Sequence, residues 1–149
     1  MSERSGSAAL EAPATFADHA RAAIEKHVPE ARDPSAYWVT RANTAWVRFR
    51  RPDGFYAYFG LRRHLQWVTG AAGISRTPLE LNDLDPLPGA VTVKARGYRI
   101  SIGDLLNKSD RWWPAGRTRE EQIECLDSLA LQMSVHGRHY FHRWPGEKA

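Results

Sequence analysis

The sequence predicts an α+β fold: a mainly antiparallel sheet of four or five strands, with an N-terminal and a C-terminal helix packed on one face. Three observations carry that expectation. Two alternating runs flank the turn Pro52-Asp53-Gly54, which writes a hairpin into residues 45 to 61. The connections between the strand-like runs from Ala45 to Ile74 are of hairpin length and leave no room for the crossover helices that parallel strands require. Helical periodicity is confined to the two ends of the chain, after Thr15 and after Thr118.

Taken in order, residues 1 to 12 are mostly Ser, Ala, Gly and Glu with little to bury, and read as a disordered tail. A single domain is expected over residues 13 to 149, a length sufficient for an ordinary core. From Thr15 to His27 the positions Phe16, Ala20, Ala23, Ile24 and His27 recur at helical spacing, with Thr15 as cap and Pro29 as stop. Glu30 to Ser35 reads as a connecting loop. Tyr37 to Arg51 and Phe55 to about His64 are the two strands of the hairpin.

Pro52 sets φ at the first turn position, Asp53 bonds the local backbone and Gly54 takes the left-handed angle. With Arg51 opposite Phe55, the pairs Phe49–Ala57, Val47–Phe59 and Ala45–Leu61 share a core face. The other face then pairs Arg50 with Tyr56, Arg48 with Tyr58 and Trp46 with Gly60. A third strand is expected in Leu65 to Ile74, a long surface loop from Ser75 to Gly89, and one or two more strands in Val91–Lys94 and Tyr98–Ile102. The last helix opens on a capping box, Thr118-Arg119-Glu120-Glu121, and carries the stripe Ile123, Leu126, Leu129, Ala130, Met133. Gly137 is the expected stop, with His139 to Trp144 as a short edge strand or a covering tail.

Composition narrows the function. A hydrophobic fraction of 42%, no apolar run of membrane length, a single cysteine and no secretory pattern in the first residues point to a soluble cytoplasmic protein without disulfides. The net charge of +4 permits anionic partners without requiring them. Its placement says more: Arg41, Arg48, Arg50, Arg51, Arg62 and Arg63 crowd the hairpin, while acids gather in Glu80 to Asp85 and Glu120 to Asp127.

The residues singled out for binding are Trp46, Arg48, Arg50, Tyr56, Tyr58 and Arg62 on the second sheet face, together with Trp112 and Trp113. Rings beside guanidinium groups suit stacking on bases and contact with phosphate, but they are equally routine cross-strand pairs. Neither catalytic residues, nor a metal site, nor a cofactor is implied. His136, His139 and His142 are interrupted by Gly137; Cys125 lies near Glu121 and Glu124 and reads as a half-buried filler. Asp83, Asp85, Asp104 and Asp110 keep turn-forming company, which favours bonds to local backbone. Phosphate-gripping and nucleophile motifs are missing.

The most distinctive string runs from Gly103-Asp104-Leu105 to Asp110-Arg111-Trp112-Trp113-Pro114. The order of a Phe-Tyr strand, a Trp-Val-Thr strand ending in Gly-Ile-Ser, a strand running into Gly-Asp-Leu, the Asp-Arg-Trp-Trp turn and a final helix resembles an uncharacterised bacterial family of small α+β proteins. The resemblance spans roughly residues 37 to 137 and is sharpest at Asp110, Trp112 and Trp113. It implies a fold and a bacterial cytoplasmic setting, and no catalytic residue.

The leading expectation is a non-enzymatic protein-binding module of immunity, adaptor or regulatory type, because the chain has six tryptophans and many arginines, residues favoured at interface hot spots. The alternatives are single-stranded nucleic-acid binding through the Arg/aromatic face, and a small enzyme with a loop-borne carboxylate site in which Asp83, Asp85 or Asp104 approaches His64 or Arg99. A membrane partner is not expected.

Overall fold

The Pro52-Asp53-Gly54 turn folds as its chemistry requires. In a computed structural model, which describes residues 15–78, 91–93, 97–101 and 113–148, Gly54 has φ +91 and its N–H bonds the Arg51 carbonyl at 2.9 Å. The Asp53 carboxylate accepts from the Phe55 N–H at 3.0 Å and from Arg51 Nη2 at 2.8 Å, so the loop is closed from both sides. It joins β2 (Thr44–Arg50) to β3 (Tyr56–His64) in the register Phe49↔Ala57, Val47↔Phe59, Ala45↔Leu61.

The other strands are β1 (Tyr37–Arg41), β4 (Trp67–Ser75), β5 (Val91–Val93), β6 (Gly97–Ser101) and β7 (Trp113–Pro114). Around the hairpin the described residues form one antiparallel sheet in the order β1-β2-β3-β4-β6-β5, with β7 also on β4. Five of these strands have five residues or more; β5 and β7 are short additions of three and two. The fold is α+β, as the sequence predicts.

Among the described residues, two α-helices cover one face. Helix α1 (Phe16–His27) starts at a reciprocal box: the Asp18 N–H donates to Thr15 Oγ1 and the Thr15 N–H to Asp18 Oδ2. Helix α2 (Arg119–Lys148) opens on the same device, with the Glu121 N–H on Thr118 Oγ1 at 3.1 Å and Glu121 Oε1 taking the Thr118 and Arg117 N–H groups. Phe16, Ala20 and Ile24 of α1 and Leu126, Leu129, Ala130 and Met133 of α2 are buried with Val47, Phe49, Phe59, Leu61, Val68 and Ile74 in one core. Phe49 and Phe59 stack with centroids 6.0 Å apart, worth about 0.5–1.5 kcal/mol beyond the area they bury.

The helices are also tied to one another. Ser134 Oγ donates to the His27 carbonyl at 2.7 Å, which satisfies a carbonyl left open where α1 ends. Asp127 Oδ1 meets His27 Nε2 at 2.8 Å and Lys26 Nζ at 3.1 Å.

Three expectations are corrected. The run Tyr37 to Arg51 is two strands, because Ala42-Asn43 reverses the chain and pairs Arg41 with Thr44. Asn43 holds that reversal from its side chain, accepting from Arg63 Nε and Nη2. Gly137 does not stop α2, which continues to Lys148, so His139 to Trp144 is helix and neither strand nor tail. Packing explains it: a Cβ at Gly137 would sit 3.3 Å from Phe59 Cε1 and 3.4 Å from Ala72 Cβ, so glycine lets the helix approach the sheet. The tail at residues 1 to 12 and most of the loop from Ser75 to Gly89 lie outside the described residues.

Candidate functional site

Strand alternation puts Tyr37, Val39 and Arg41 of β1 on the same side as Trp46, Arg48 and Arg50 of β2 and Tyr56 and Tyr58 of β3. This is the face opposite the helices, and it divides into a closed centre and an open end. In the centre, Trp46 and Tyr58 are 1% and 0% exposed and pack with Ala71, flanked by Val39 and Tyr56. Trp46 and Tyr58 were expected to be available to a partner; both are core residues instead.

The burial of Trp46 follows from Gly60. The two are cross-strand partners, and a Cβ on Gly60 would lie 2.2 Å from the indole, so the ring is laid flat into the space of the missing side chain. The Trp46 Nε1–H is buried and has no hydrogen-bond partner among the described residues. Tyr58 is better served. Its hydroxyl is 2.6 Å from Ser75 Oγ, and because the single Ser75 hydroxyl hydrogen goes to the Thr77 carbonyl at 2.6 Å, Tyr58 is the donor.

At the open end, rings and guanidinium groups form a ladder. Arg48 lies over the Tyr37 ring at 4.8 Å and is 5.9 Å from the Tyr56 centroid; Arg50 is also 5.9 Å from the Tyr56 centroid. All three distances fall within cation–π range. Tyr37 is 48% exposed and Arg50 is exposed; Arg41 is exposed at the other end of β1, opposite Thr44, and neither arginine has an ion pair among the described residues. Strand β1 is the end of the sheet, and its outer edge carries no strand among the described residues. Tyr37 and Arg41 are not among the residues singled out for binding because the reversal at Ala42-Asn43 was missed; Asn43 between two β-rich runs was the signal for it.

The other candidate residues are scattered. Arg62 pairs with Thr44 at the far end of the hairpin. Trp113 sits in β7 opposite Val68, half-buried against the main core, and Trp112 lies outside the described residues. So do Asp83, Asp85, Asp104 and Asp110, and with them the loop-borne carboxylate site. Cys125 is half-buried against the core, and burial pushes its thiol above the ordinary value, so the cause is desolvation.

A second exposed feature was not foreseen. The two-residue reversal between β3 and β4 places Leu65 at φ 55, a left-handed angle rare for a bulky side chain, with 78% of Leu65 and 42% of neighbouring Trp67 exposed.

No helix among the described residues is long and apolar enough to cross a membrane. The fold and the site define an α+β domain with an arginine–tyrosine ladder at one end of its sheet. Comparison with models of protein families, with curated proteins and with solved structures matched nothing to this chain. The resemblance to a bacterial family therefore stands on the sequence strings alone.

Proposed function

We propose that this domain is a non-enzymatic protein-binding module that takes an acidic, extended segment of a partner protein at the β1 end of its sheet. The observation that carries the reading is the Tyr37–Arg48–Tyr56–Arg50 ladder beside an edge strand. An added strand would bond the outer main chain of β1, and its alternate side chains would lie along Tyr37 and Arg41. Acidic residues there meet exposed cations at Arg41 and Arg50 that no carboxylate among the described residues holds. The ladder is preorganised, since each guanidinium is already held against a ring, which lowers the entropy lost on binding.

The nucleic-acid alternative loses two of its stacking rings, because the buried faces of Trp46 and Tyr58 offer nothing to a base. A labelled alternating Glu-Val peptide, an alternating Lys-Val control and a single-stranded oligonucleotide separate the readings in one fluorescence-anisotropy experiment. The expected result is saturable binding of the acidic peptide, weakened about tenfold or about 1.4 kcal/mol by the double charge reversal Arg41→Glu with Arg50→Glu. Equal binding of both peptides overturns the reading. Tight oligonucleotide binding at physiological salt would put the nucleic-acid alternative in its place.

A further inference from the structure

On the helix side of the sheet, away from the ladder, a hollow of about 190 Å³ opens between the hairpin turn and the middle of α2. Phe49, Ala57 and Phe59 line its apolar part, and Glu30, Arg51 and Arg138 its polar part. Two small residues line it beside the rings: Ala57, the cross-strand partner of Phe49, and Gly137 of α2.

The charges at the rim are of both signs and are held in place. Arg138 grips Glu30 with two parallel bonds, Nη1 to Oε2 at 2.8 Å and Nη2 to Oε1 at 2.6 Å, while its Nε bonds Ser134 Oγ at 3.0 Å. Those bonds use three of the five guanidinium N–H groups, leaving one on each terminal nitrogen, and each Glu30 oxygen keeps a lone pair. Hydrogen bonding to Arg138 holds the Glu30 carboxyl below its ordinary range, so it is ionised at neutral pH. Arg51 adds a second guanidinium, paired with Asp53 at 2.8 Å.

We infer that this hollow is a binding site for a small apolar α-amino acid, seated with its side chain on Phe49, Ala57 and Phe59, its carboxylate toward Arg138 and Arg51, and its ammonium toward Glu30. Size and charge select that class. An apolar cavity of about 150 Å³ holds a benzene molecule, so this one admits a ring or branched chain with a compact headgroup, and is below the roughly 300 Å³ where drug-sized ligand sites begin. A simple carboxylic acid could use only the spare N–H groups of Arg138 and a simple amine only the spare lone pairs of Glu30, whereas a zwitterion uses both. The site is independent of the partner surface proposed for β1, which lies on the opposite face.

The test is a titration of the ¹⁵N-labelled full chain, followed through its amide resonances, with L-phenylalanine, 3-phenylpropanoate, phenethylamine and L-alanine. L-Phenylalanine should bind saturably and move the Phe49, Ala57 and Gly137 amides, with each of the other three at least tenfold weaker. Ala57→Leu fills the hollow and should abolish the shifts. Should that variant fail to fold, Glu30→Gln carries the test, because it removes the ammonium's partner and should bring L-phenylalanine and 3-phenylpropanoate to near parity. No saturation into the millimolar range, shifts confined to other amides, or equal affinity for all four compounds would overturn the inference.

Discussion

Substituting Gly60 by alanine tests the packing of the closed sheet centre most directly. The added Cβ would lie 2.2, 2.4 and 2.5 Å from Cδ2, Cε2 and Cε3 of Trp46, against the 3.5–4.0 Å at which carbon atoms rest. The indole must therefore retreat by about 1 Å or more, and at 1% exposure, packed with Tyr58 and Ala71, it has no free space to enter. Overpacking of this kind costs about 1–3 kcal/mol. Against that, alanine in a strand is favoured over glycine by about 0.5–1 kcal/mol when nothing opposes it. The net expectation for Gly60→Ala is a loss of about 1–2 kcal/mol. In a Trp46→Val background the obstacle is gone, and the same Gly60→Ala change should become neutral or stabilising, giving a coupling of about 2 kcal/mol. Urea denaturation of the four proteins, followed by far-ultraviolet circular dichroism, measures it. Additivity within about 0.5 kcal/mol would refute the claim that the missing side chain of Gly60 is what seats the tryptophan.

Leu65→Gly should stabilise the domain, since relief of the left-handed strain is worth about 1–2 kcal/mol and glycine's added chain entropy returns about 0.5–1; a lowered denaturation midpoint would contradict the φ of 55 as a strained angle. Thr118→Ala should cost about 1 kcal/mol by leaving the Glu121 N–H without its cap, and hydrogen exchange at the start of α2 should accelerate; unchanged exchange there would count against the box. The Glu30 carboxyl, held down by the Arg138 hydrogen bonds and then by its charge, contributes stability that is present above its ordinary value of 4.5 and is lost as pH falls through the lower folded-state value. With both side chains about two-fifths exposed, solvent screening keeps that contribution below about 1 kcal/mol. Glu30→Gln should therefore lower the melting temperature at pH 7 and lose most of that difference in strong acid; a difference constant across pH would refute it.

How much of this was legible in the sequence depends on whether a signal is local. The β2–β3 hairpin was readable to the residue, because Pro52, Asp53 and Gly54 specify one loop length and alternation then sets every pair from Arg50↔Tyr56 to Ala45↔Leu61. Both helix starts were readable for the same reason: Thr15 and Thr118 act on backbone donors three residues away. The candidate site was legible only in part. Arg48, Arg50 and Tyr56 stand where alternation placed them, whereas their neighbour Tyr37 arrives from a strand whose reversal at Ala42-Asn43 carries no glycine or proline.

What the sequence by itself determined was the class of fold, the hairpin register and which side chains share a sheet face, all of which follow from turn chemistry and a period of two. Only the tertiary structure decided which members of a face are open to solvent. Trp46 and Arg48 are two residues apart on one side of one strand, yet one is buried over Gly60 and the other lies in the Tyr37–Tyr56 ladder. Gly137 was decided there too: its sequence context reads as a helix stop, and contact with Phe59 and Ala72 makes it the point where α2 meets the sheet. In both cases the deciding quantity is the space left by a residue on another element, and spacing along the chain does not encode it.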